Sequence, residues 1–252
     1  MSKLHLGTIG WSYNFWRGNF YPSKATSRDF LAYYATKFET VEVDATFYRI
    51  PTQQAIINWK NQTHEKFIFS LKFPSLITHI KMLKNCERET NVFLERTQLL
   101  KEKLGPLLLQ FPPSFGTEHL SDLTNFVHKL PKPQRYVVEV RDKGFLNEDF
   151  YSLLRANNVA MAWVDTPNMP QINEVTSDFL YLRMEGDRSK VKGTLGKTEV
   201  DKGQDLRLWA DKIEGSLGKN LEIFGYFGKY FSGFPPSDIS SLLSLLAQDY
   251  YK

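Results

Sequence analysis

Apolar and polar positions repeat one arrangement along the chain: a short β-branched run closes on two polar or charged residues spaced i, i+2. It recurs at 40–44 (Glu42, Asp44), 67–72 (Ser70, Lys72), 136–141 (Glu139, Arg141), 159–165 (Trp163, Asp165) and 178–185 (Arg183, Glu185), and 107–110 ends in Gln110 alone. A spacing of two puts both side chains on one face of a strand, and near-continuous hydrophobicity implies burial on both faces, as in a parallel sheet wrapped by helices. One face of each strand thus carries charge at its C-terminal end, where α/β folds bind ligands. Buried charge is costly and weak evidence for stability, so its convergence on one end of a sheet points to function.

Helix-like stretches fill the gaps. They are expected at 27–38, 53–62, 89–103, 118–130, 147–157, 204–217 and 237–249, with further strands at 5–10 and 221–227. Eight βα units over 252 residues predict an α/β fold: one TIM-type (β/α)8 barrel domain of parallel strands spanning 1–252. A doubly wound open sheet is the alternative, and its commonest form lacks support because no Gly-rich fingerprint follows the first strand.

Composition narrows the rest. A formal charge of +4 is only mildly basic, far from a tail-driven nucleic-acid binder. The single cysteine, Cys86, leaves no internal disulfide framework and suits a reducing compartment. Without a signal-like N-terminus or a membrane-length apolar run, the expected location is the cytoplasm, with no membrane partner. The five histidines lack ligand spacing, and no HxH, HExxH or CxxC occurs, so neither a metal nor another cofactor is expected. Magnesium held by Glu42, Asp44 and Glu139 is the remaining metal alternative.

Several phrases then resemble the YecE-like family, known as domain of unknown function 72 (DUF72). They are GTIGWSY at 7–13, VEVDATFY at 41–48, ITH at 77–79, LQFPP at 109–113, EVR at 139–141 and YLR at 181–183. The resemblance implies a TIM-type barrel and little chemistry. The chain departs from the family pattern at Asp142, Phe145, Glu185-Gly186 and 226–230, so no role resting on histidine or asparagine there carries over.

The candidate site follows from these residues. Lys72, Arg141 and Arg183 form an expected cationic wall for an anionic substrate, with Gln110, His79 and the aromatic residues Trp11, Tyr13 and Tyr48 as further contacts. Glu139, Glu42 and Asp165 are the candidate acid–base groups. Each pair taken alone also reads as a structural ion pair, His79 as a loop-bonded residue, and most of the aromatic stretch 11–21 as a satellite core. The polar stretch 186–203 reads as a mobile lid or a solvated loop. The leading functional expectation is a metal-independent enzyme acting on a small anion; a nucleic-acid binder or processor and a non-catalytic ligand module are the alternatives.

Overall fold

The computed structural model describes residues 4–249; residues 1–3, part of the N-terminal stretch read above, lie outside them. Eight strands among these residues pair in sequence order, every pair parallel, and β8 closes on β1. They are β1 Leu4–Ile9, β2 Thr40–Val43, β3 Ile68–Lys72, β4 Leu104–Gln110, β5 Tyr136–Glu139, β6 Ala160–Asp165, β7 Phe179–Gly186 and β8 Glu222–Tyr230. The helices are α1 Phe30–Tyr34, α2 Ala45–Tyr48, α3 Gln53–Asn61, α4 Glu87–Thr97, α5 Leu120–Lys129, α6 Glu148–Ala156, α7 Gly203–Leu217 and α8 Pro235–Asp249. The expected TIM-type barrel is therefore the architecture found.

Local chemistry explains where elements begin and where they fall short of expectation. Thr52 Oγ1 accepts from Ala55 N at 3.2 Å and Asn147 Oδ1 from Phe150 N at 3.1 Å, capping α3 and α6. The helix expected over 27–38 contracts to the five residues of α1. Asp29 instead closes a turn by accepting from the backbone and hydroxyl of Thr26, a local bond that competes with helix. The helix expected to reach Lys103 ends at Thr97 and tightens into a 3-10 segment, where Lys101 turns left-handed at φ 54° to deliver the chain into β4.

Register decides which side chains enter the bore. Ala162 lies opposite Tyr181, and Val164 opposite Arg183. Small residues on β6 thus face inward where β7 supplies large ones, and alternation turns Trp163 and Asp165 out toward the helices. At the far end of the barrel His5, Arg135 and Glu222 form a separate ion cluster, with Arg135 2.7 Å from Glu222.

The stretch 186–203, read as a mobile lid, is a braced loop. Gly186 adopts φ +78°, and a Cβ there would lie 2.0 Å from the Tyr230 carbonyl oxygen, so only glycine lets β7 part from β8 at this point. Beyond it Asp187 N donates to Tyr230 O at 3.1 Å, Glu199 N to Ser232 O at 2.7 Å and Asn19 Nδ2 to Gly196 O at 2.8 Å. No helix among the described residues is long and apolar enough to cross a membrane.

Candidate functional site

Arg183, inward on β7, is only 1% exposed and organises the C-terminal half of the bore. Its Nε and Nη2 reach the two carboxylate oxygens of Glu42 on β2 at 2.9 and 2.8 Å. Its Nη1 meets Glu139 Oε2 on β5 at 2.5 Å and also contacts Glu185. Tyr181, two residues back on the same face, donates to Glu42 at 2.8 Å and shares a 2.7 Å hydrogen bond with Ser70. Burial raises the Glu42 carboxyl above its ordinary range, outweighing the pull of Arg183. Glu42 and Glu139 in this layer are fully buried.

A second layer faces the mouth. Arg141 lies just past the end of β5, its side chain 16% exposed, and pairs with Glu185 at 2.6 Å and with Glu139. Burial pushes the Glu185 carboxyl up, but the charges of Arg183 and Arg141 overcome it and hold it below the usual carboxylate range. Lys72 lies 3.4 Å from Asp44 and 4.1 Å above the Phe47 ring. One buried atom of this layer keeps unspent capacity: Arg141 Nε has no acceptor, whereas Glu139 Oε1 is held by the ion pair with Arg141 Nη2.

The three cations expected from the sequence come together with carboxylates between them. Lys72, Arg141 and Arg183 stand against Glu42, Asp44, Glu139 and Glu185, so three cations meet four carboxylates. Arg183 is sealed from solvent, which leaves Arg141 and Lys72 as the outer cations of the three. The carboxylates of the magnesium alternative do not converge, since Glu42 and Glu139 face Arg183 and Asp44 faces Lys72. Among the described residues no group of three or more metal-ligating side chains comes together.

Other expected residues scatter. Asp165 leaves the interior altogether: it accepts from Trp209 Nε1 of α7 at 3.2 Å. Trp11 packs edge-on against Trp59 of α3 rather than into the bore. Gln110 is buried beside Glu139 and spends its amide on the neighbouring Phe111 carbonyl. Tyr13 donates to Ile9 O at 2.7 Å, and burial followed by the charge of Asp44 pushes its phenol up. Tyr48 stands 76% exposed on α2. His79 sits in a π-helical turn, Leu76–Ile80, where burial and then Lys72 lower its pKa to about 4.

Sequence reasoning missed three participants. Tyr181 shares the face of Arg183 by parity, a signal present but unused. Phe47 carries Lys72, and Lys229 lies 5.7 Å over the Tyr13 ring and 5.0 Å over Tyr230; nothing in local pattern marks either one.

Residues 5–252 match the family model described as "Protein of unknown function DUF72". The chain belongs to the DUF72 family. Among curated relatives it is similar to UPF0759 protein YecE of Escherichia coli K12, at 36% identity over 46% of the chain and 42% of that protein. UPF0759 protein YunF of Bacillus subtilis 168 is 27% identical over 68% of the chain and 62% of that protein. These matches span less than two thirds of either relative. DUF72 proteins of known structure share the fold: one from Thermotoga maritima MSB8 superposes with a TM-score of 0.78 at 23% identity, covering 99% of this chain and all of that one. Another, from Enterococcus faecalis V583, gives 0.76 at 21% identity, covering 97% and 95%.

Proposed function

We propose that this DUF72 protein is a metal-independent enzyme that acts on a small phosphate- or carboxylate-bearing substrate at the C-terminal mouth of its barrel. One observation carries the reading: Arg141, on the loop at the mouth, keeps its buried Nε as a donor without an acceptor while its Nη2 is held by Glu139 and Glu185. Unspent buried polar atoms are rare in native proteins and call for a specific explanation. An anionic oxygen of a ligand satisfies this donor.

The arrangement assigns roles. Glu185, 20% exposed, is the outermost carboxylate on Arg141, so an incoming anion exchanges for it. Arg183 touches no ligand in this reading; it holds Glu139 and Glu185 in place. Glu139 moves the proton, with Arg141 and Lys72 gripping the anion. The metal-independent reading rests on every one of these carboxylates being engaged by an arginine or lysine. The reading places the protein in the cytoplasm, where the single buried thiol, Cys86, stays reduced.

Titration calorimetry with inorganic phosphate and a panel of small phosphates and carboxylates tests it. Arg141→Ala is expected to weaken binding about 10- to 100-fold, the value of charge-assisted hydrogen bonds. Failure of every anion to bind at low salt, or equal affinity in the variant, rejects the reading. Affinity for an oligonucleotide that falls steeply between about 50 and 200 mM salt would favour backbone-phosphate binding instead.

A further inference from the structure

Beside the anion site helix α2 meets the β3–α4 loop, and the two expose apolar surface. Phe47 stands edge-on to the His79 imidazole at 4.8 Å and to Tyr48 at 5.3 Å. Tyr48 is 76% exposed and Ile80 is 72% exposed, more than any other large apolar side chain among the described residues.

The backbone that follows this shelf in sequence is held in costly conformations. After the π-helical turn Leu76–Ile80, three non-glycine residues, Met82, Leu83 and Asn85, adopt φ of 45°, 68° and 50°. Such runs persist only where the surroundings over-determine them, and they cluster at ligand clamps. Here Leu83 N donates to Ile77 O at 3.0 Å and Lys81 Nζ to Asn85 O at 2.7 Å, bracing the loop. Lys72 joins shelf and site: its ammonium lies 4.1 Å over Phe47 while its charge acts on Glu42 and Glu185.

We propose that this shelf, built from Phe47, Tyr48, His79 and Ile80, receives a flat apolar ring of the substrate whose anionic group is held at Arg141. The substrate class is then an anion carrying an aryl or nucleobase-type ring, and the inference rests on the anion-site reading above. Rigid faces beside a cation suit a ring better than a flexible chain, because aromatic stacking and cation–π attraction act together there. His79, kept neutral by burial and Lys72, adds an uncharged face.

Calorimetric titration of inorganic phosphate against phenyl phosphate, and of acetate against benzoate, tests the proposal. The ring-bearing member of each pair is expected to bind at least about tenfold tighter. The Tyr48→Ala/Ile80→Ser double variant should lose most of that preference while phosphate and acetate affinities stay within about twofold; circular dichroism confirms that it is folded. Equal affinity within each pair, or a preference that survives the double variant, overturns the shelf alone, provided that Arg141→Ala weakens phosphate binding by the expected factor of about 10 to 100. If no probe binds, or Arg141→Ala changes nothing, the anion site and the shelf fall together.

Discussion

Arg183 spans the bore to grip both carboxylate oxygens of Glu42, at 2.9 and 2.8 Å, across 141 residues of sequence and between two strands that are not neighbours in the sheet. A two-point clasp of this kind ties β7 to β2 through the barrel centre. It also sets the charge on which the mouth layer rests.

The first prediction concerns that clasp. Arg183→Ala strands Glu42 without its buried ion-pair partner and leaves Glu139 to Arg141 alone, and the expected loss is about 3–5 kcal/mol of unfolding free energy. Combining it with Glu42→Gln removes one stranded charge and should recover part of the loss. Urea denaturation of the three variants measures both; additive losses would mean that the two residues do not interact.

A second prediction separates grip from chemistry. Glu139→Gln preserves the shape and removes the charge, so anion affinity should hold or tighten while turnover falls about 100-fold or more, the usual contribution of a positioned acid or base. Once a substrate is found among ring-bearing anions, kcat in the variant decides the matter. Unimpaired kcat would take the proton transfer away from Glu139.

Asp165 supplies a third test, because the structure removes it from the interior. Asp165→Asn should leave anion affinity at the mouth within about twofold and cost only the hydrogen bond with the Trp209 indole, about 1 kcal/mol. A large loss of binding would restore it to the site.

The fourth prediction is a pH dependence at α8. Asp238 is 4% exposed and accepts from Ser232 Oγ at 2.7 Å. Burial outweighs that bond and Lys202, raising its pKa to about 7. The folded state therefore binds a proton that the unfolded chain releases near pH 4, and this contribution is full below about pH 4 and lost as pH rises through 7. Asp238→Asn should be more stable than the parent at pH 8, by about 2–4 kcal/mol, and level with it near pH 4. Melting curves at the two pH values check the sign.

Much of the site was readable from strand parity alone. Glu42, Ser70, Lys72, Gln110, Glu139, Arg183 and Glu185 all end inward-facing runs near one end of the barrel, as the spacing of two requires. Parity failed at β6, where both faces are apolar: Ala160, Ala162 and Val164 look inward because Tyr181 and Arg183 across the β6–β7 pair fill the space, so Asp165 belongs to the outer face. A pattern buried on both sides does not say which side is the bore. Nor did it show that β5 stops at Glu139, which places Arg141 on the loop at the mouth, where solvent reaches it.

By itself the sequence determined the alternation of strands and helices, the closed barrel they imply and the end of the sheet that carries charge, because periodicity and burial are local properties of the chain. Only the tertiary structure decided who pairs with whom. Glu42 and Arg183, or Lys72 and Phe47, are brought together by closure of the barrel and by loop geometry. Whether a carboxylate braces an arginine or stays open to a ligand depends on distances and burial that no local pattern encodes.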